Sequence, residues 1–253
     1  MRRLSRSLAL GLALGAALLV SPLPAGAGHD SDPHSDNLRP RGHTDFDRPV
    51  VTFGEAFFTD MAFKRKIAYQ GTWIGGFQTI NIARKGSPKV LSEVDCGVEQ
   101  GDIGVYRNLV FRSIDLPVPA TTPAETCTDE FADGAGFEGL QIFQVDNPRK
   151  ASADDLVAAV ATDCGSHTHT VVPDPENDRV LVYVANSGIF PVYAAGDTVW
   201  GHQCSEPHNK FQIVEVPLDD PEDASVIADV PLGLPAEVHA ACHDIGVLMN
   251  GDA

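Results

Sequence analysis

Three stretches of this chain are versions of a single strand: FQTINI at residues 77–82, LQIFQV at 140–145 and FQIVEV at 211–216. Such a recurrence constrains the fold more than any local propensity does, because a repeated unit must bury its apolar faces against its own neighbours. Each stretch runs through a polar, turn-rich segment containing Pro88, Pro148 or Pro221 into a second apolar run. Those runs are Val90, Leu91 and Val94, then Leu156, Val157 and Val160, then Val226, Ile227 and Val230. Their spacing is constant, with two adjacent apolar residues and a third after a two-residue gap. The pattern predicts strand, turn and strand three times over. SADDLVAAVATD at 152–163 has the composition of a short helix, but its alignment with the other two copies assigns it to a strand.

The sequence between these units repeats as well. DIGVY at 102–106 passes through Arg107 and Asn108 into LVFRSI, and THTVV at 168–172 passes through PDPEND into RVLVYVA. Both read as hairpins. DIGVL at 244–248 opens a further copy, and KIAYQG at 66–71 is the arm of an earlier one. Four strands per unit is the count for a β-propeller blade. The expected fold is therefore all-β, a propeller-like array of about three blades in an incomplete ring. The expected blades cover approximately 57–96, 97–164 and 165–232, with the start of another at 241–253, all within a repeat domain spanning 49–253. A β-sandwich also offers many short strands, but it has no reason to repeat one strand-turn-strand unit with its flanks. Successive copies lie 63 residues (Ile82 to Val145) and 71 residues (Val145 to Val216) apart. The usual propeller repeat is about 40 to 50 residues. The excess falls in residues 116–137 and 188–209, two Pro-, Gly- and Asp-rich stretches expected to be loops at one rim. Loops carried on a rigid sheet are where a binding surface is expected.

With INI, IFQV and IVEV followed by Pro-containing turns, and with QGDIGVYRNLVFRSID, CGSHTHTVVPD and CHDI, the chain resembles the exported bacterial proteins with LVIVD repeats. The likeness runs from about Thr59 to the end, as in a truncated or partial member. It implies a β-propeller and export, but no established reaction and no catalytic residues.

The first 27 residues read as a signal peptide. MRRLSRS is basic and acid-free, an apolar run from Leu8 to Val20 follows, and Ala25, Gly26 and Ala27 supply a cleavage site after about Ala27. The run is shorter than the ~20 residues a bilayer span needs, so a secreted, extracellular or cell-envelope location is expected. Residues 28–48 form a polar leader without apolar periodicity. Loss of Arg2, Arg3 and Arg6 from the chain's 18 basic residues leaves 15 against 35 acidic ones, a charge of −20. For so acidic a protein, nucleic acid and anionic membrane surfaces are not expected partners.

The cysteines follow the repeat. Cys96, Cys164 and Cys242 each precede a first hairpin arm, whereas Cys127 and Cys204 lie in the two long stretches. Four cysteines allow three pairings, and equivalence under the repeat selects Cys96 with Cys127 and Cys164 with Cys204. Cys242 then opens a pair with no partner before Ala253. The expectation is an array that stops inside a blade, leaving strand edges available for self-association. The alternative is an ordinary free or intermolecular thiol.

For chemistry, His167 and His169 form an HxH pair, which a strand places on one face. With His243 and Asp244 from the next copy they make a candidate divalent-metal site, with Asp102 nearby and His202 and His208 in a long stretch. The chain has no HExxH or GxSxG, and Gly75 and Gly76 precede a strand, so no phosphate-binding glycine loop is expected. The leading expectation is a noncatalytic scaffold, needing no cofactor, that binds a protein or glycan through residues 116–137 and 188–209. The alternative is a metal-dependent, lactonase-like hydrolase using the histidines and acids.

Overall fold

The computed structural model describes residues 58–73, 76–84, 86–96, 101–118, 127, 137–186, 209–235 and 242–248. The signal peptide and leader read in residues 1–48 lie outside them, as do Cys204, His202 and His208.

The described chain is all-β, with twelve strands in three four-stranded antiparallel sheets. Sheet 1 holds β1 (Phe58–Lys64), β2 (Ile67–Thr72), β3 (Phe77–Asn81) and β4 (Lys89–Val94). Sheet 2 holds β5 (Ile103–Tyr106), β6 (Leu109–Val118), β7 (Phe137–Gln144) and β8 (Leu156–Ala161). Sheet 3 holds β9 (Thr168–Asp174), β10 (Arg179–Ala185), β11 (Lys210–Pro217) and β12 (Ser225–Pro231). Each sheet is a simple up-and-down meander. The three similar stretches supply the third strand of each sheet, and the second apolar runs supply the fourth. SADDLVAAVATD forms one 3-10 turn, Ala153–Asp155, and then β8. The first long stretch is shorter than its sequence suggests, since residues 116–118 extend β6 and Phe137 starts β7.

The paired apolar residues have a geometric origin. In every sheet the register between third and fourth strand slips at the same place: Thr79/Ile80, Ile142/Phe143 and Ile213/Val214. The fourth strand carries the extra residue, which is Leu91, Val157 or Ile227. Two residues there oppose one, as in a β-bulge, so neighbouring apolar side chains need not point to opposite faces as they would in a regular strand.

Sheet 2 lies between two cores. Tyr69, Phe77 and Val94 of sheet 1 pack with Val110 and Phe143 of sheet 2. Phe111, Leu140 and Ile142 of sheet 2 pack with Val180, Val182, Val214 and Val216 of sheet 3. Alternate residues of β6 and β7 therefore enter different cores, which explains why their apolar runs are nearly continuous. The turns that follow the third strands reach back to the preceding sheet. The Pro148 carbonyl accepts from Thr79 Oγ1, and from Ser92 Oγ at 2.8 Å. The Pro221–Asp223 turn packs likewise on β8. Cys96 and Cys127 are disulfide-bonded with Cα atoms 4.9 Å apart, tying the segment after β4 to the β6–β7 connection. Cys164 is also in a disulfide, and Cys242 is a free thiol.

Candidate functional site

The first strands of the sheets are neighbours, with β1 against β5 and β5 against β9. Gly104 lets β5 approach, because a Cβ there would lie 2.6 Å from Val171 Cγ2 and 2.7 Å from His169 Nε2. Residues 242–248 run beside β9, where Thr168 Oγ1 donates to the His243 carbonyl at 2.7 Å and Thr170 Oγ1 to that of Ile245. The DIGVL stretch thus follows the first strands, although no strand is assigned to it.

His167 and His169 both turn toward β6, as their two-residue spacing requires, and meet Asp115 and Ser113, another pair spaced by two. His167 Nδ1 lies 2.9 Å from Asp115 Oδ2, and its Nε2 lies 3.1 Å from His243 Nε2. The two imidazoles meet edge to face, with centroids 4.5 Å apart. His167 is placed by Gly165, whose φ of +68° favours glycine and whose Cβ would strike the Asp115 backbone carbonyl. His169 goes elsewhere. Its Nδ1 is 2.8 Å from Ser113 Oγ, which is in turn 2.8 Å from Ser166 Oγ, and its ring packs edge-on against Phe111. The backbone N–H of His169 donates to Asp102 Oδ2 at 3.0 Å, and the same oxygen is 3.6 Å from Nδ1. Its Nε2 is buried without a hydrogen-bond partner among the described residues.

Burial governs the charges. It pushes the His169 imidazole down to about 4. It also raises Asp102 to about 7, helped by the neighbouring carboxylates of Asp60 and Asp244 and opposed by the bond from the His169 amide. At neutrality His169 is uncharged.

The arrangement does not form a nucleophilic triad. Ser113 and Asp102 both address Nδ1 of His169, whereas such chemistry needs the hydroxyl on one ring nitrogen and the carboxylate on the other. The predicted metal residues divide into two groups, His167 facing His243 and His169 enclosed against β6. Asp244 Oδ1 accepts from the backbone of Ile245 at 2.8 Å. Among the described residues no group of three or more His, Cys, Asp or Glu side chains is set to hold a metal ion.

Ser113, Ser166, Asp115 and Asp60 belong to this polar layer but were not expected from sequence. A signal was present: Ser113 and Asp115 are spaced by two in β6, as His169 of β9 and His167 just before that strand are. Asp60 also precedes a two-residue turn at the same distance as Asp102 does. A second missed group comprises the glutamines at one repeat position, Gln78, Gln141 and Gln212. Gln141 accepts from the buried Arg112 guanidinium at 2.9 Å, and Gln212 joins the Asp163 amide to Asp229 at 2.7 Å on each side.

No family model and no curated protein matches this chain. Among solved structures it is similar to a computationally designed protein, Ika8, with 9% identity and a TM-score of 0.31 over 69% of this chain. The chain spans about half, 49%, of that protein's length. No helix among the described residues is long and apolar enough to cross a membrane.

Proposed function

We propose that this chain is an exported propeller-type scaffold of the LVIVD-repeat kind, and that it binds a protein or glycan without catalysing a reaction. The observation that carries the reading is topological. First and second strands are joined by two residues in sheets 1 and 2, whereas the second and third are joined through residues 119–136 in sheet 2 and 186–209 in sheet 3. Long connections on a rigid, disulfide-braced sheet are suited to recognition. The successive contacts of the first strands, and the meander within each sheet, support the propeller reading. The buried polar groups of the first strands serve as inter-sheet links, which supports a noncatalytic role.

A glycan array probed with the mature chain tests the reading. Binding to at least one glycan class is expected, and replacement of residues 187–200 by a Gly-Ser linker should reduce it at least tenfold without changing the unfolding midpoint. Turnover of ester or lactone substrates that disappears in His167→Ala would overturn it.

One observation favours a second, metal-based reading. The Nε2 atoms of His167 and His243 lie 3.1 Å apart, close to the spacing of two nitrogens each about 2.0–2.1 Å from one zinc ion. Asp115 on the far side of His167 is the kind of carboxylate that orients a metal-bound imidazole. Equilibrium dialysis against micromolar zinc should then retain one ion per chain, with affinity at least tenfold weaker in His243→Ala. No retention of zinc removes this reading.

A further inference from the structure

The strongest unassigned feature lies at the end of β7 opposite the 119–136 connection. A cavity of about 390 Å³ opens between the β1–β2 hairpin and the turn after β7. Lys64, Arg65 and Lys66 line one side, Ile67, Tyr69, Val145 and Pro148 give it apolar walls, and Asp146 is its one acid. Its volume falls within the range of small-molecule clefts, about 300–1,000 Å³.

The charge of this lining is opposite to that of the chain. Three cations and one acid give it a charge of +2 in a protein whose net charge is −17. The cations are set by the turn itself. Arg65 has a left-handed φ of 56° at the first position of a two-residue hairpin loop, between the paired residues Lys64 and Ile67. The Lys64 ammonium donates to the Arg107 carbonyl and keeps two further N–H donors. Burial and the Arg65 charge lower the Lys64 pKa, and the pull of Asp146 in the other direction is smaller than either. The lining residues alone therefore sum to a positive charge. Asp146 receives a bond from Asn108 Nδ2 at 2.7 Å on Oδ1, and its second oxygen is suited to accept from a ligand hydroxyl.

Cations that recognise a carboxylate or phosphate, apolar walls fitting one ring and an acceptor for hydroxyls specify a particular ligand chemistry. We propose that this cavity binds an acidic monosaccharide, a single sugar ring bearing a carboxylate or a phosphate. The site is separate from the long connections and does not rest on their role in binding.

Calorimetric titration of the full chain at low ionic strength with glucuronate, glucose 6-phosphate, glucose and inorganic phosphate tests the proposal. At least one of the two acidic sugars should bind one to one, and which of them binds tells carboxylate from phosphate. Glucose and inorganic phosphate should each bind at least tenfold more weakly, because each lacks one half of the recognised group. Lys66→Glu, a change at an exposed turn position, should weaken binding by about tenfold or more, and rising salt should weaken it too. Lys89→Glu, an exposed cation in β4 outside the lining, should leave it unchanged. Inorganic phosphate binding as tightly as the sugars, equal losses in the two variants, or no heat with either acidic sugar would each overturn the proposal.

Discussion

Phe143→Ala is expected to lower stability by about 3–5 kcal/mol, the usual cost of emptying a buried aromatic site. Phe143 is fully buried, and its ring meets Phe77 edge-on at a centroid distance of 5.1 Å. Phe143 belongs to β7 and Phe77 to β3, so the cavity would open between two sheets and not within one. Urea unfolding followed by circular dichroism measures the effect. If the sheets unfold together, the midpoint should fall with the slope unchanged. If sheet 1 becomes separable, the transition should split, as expected of an array whose neighbours contribute interface terms. Ile227→Ala provides the contrast. Ile227 is the extra residue of a bulge and 48% exposed, and its loss should cost below about 1 kcal/mol. A loss of under 1 kcal/mol for Phe143→Ala would contradict the two-core description.

The strand repeat was legible because it is written in local pattern. FQTINI, LQIFQV and FQIVEV each place an aromatic or leucine, a glutamine and further apolar residues on a third strand, and the hairpin turn at Arg107 and Asn108 is equally local. The paired apolar residues at Val90 and Leu91 were visible as a pattern, but their meaning was not. A bulge is defined by the partner strand, and the sequence of one strand does not show its register. The candidate site was less legible for the same reason. The spacing of His167 and His169 implies one face, but it does not say that Asp115 will meet one ring and Ser113 the other. That pairing depends on how sheet 2 lies against β9, which Gly104 of β5 permits through close approach to β9 and Gly165 through a positive φ beside Asp115. The convergence of His243 on His167 likewise depends on residues 242–248 running beside β9. Equivalence under the repeat suggests this, but it does not fix which ring nitrogens face each other.

The polar layer also explains why buried charge-bearing residues are tolerated between β5 and β9. An isolated buried carboxylate or imidazolium is costly, and such a group usually becomes neutral instead. Asp102 and His169 become neutral together. Asp102 retains a proton to about pH 7 and His169 has lost its own by about pH 4. A protonated acid beside a neutral imidazole holds the same single proton as the carboxylate and imidazolium of the unfolded chain at pH 5.

Their contributions to stability therefore oppose each other. Asp102 has a folded pKa above its ordinary value of 3.8, so its contribution is complete below about pH 4 and is lost as pH rises to about 7. His169 has a folded pKa below its ordinary value of 6.5, so its contribution is complete above that pH and is lost as pH falls to about 4. Between pH 4 and 6.5 the slopes nearly cancel in the native protein, and each single substitution should uncover the other. Asp102→Asn keeps an oxygen for the His169 amide and leaves the imidazole alone, so stability should rise by about 1 kcal/mol per pH unit across that window. His169→Gln leaves the acid alone, and stability should fall by about 1 kcal/mol per unit over the same range. Urea midpoints at pH 4.5, 5.5 and 6.5 measure both slopes against the native protein. Variants that keep the native pH profile would show that the two groups do not exchange a proton's worth of stability. Slopes of opposite sign would show that the inter-sheet layer is held by a matched pair of neutral side chains.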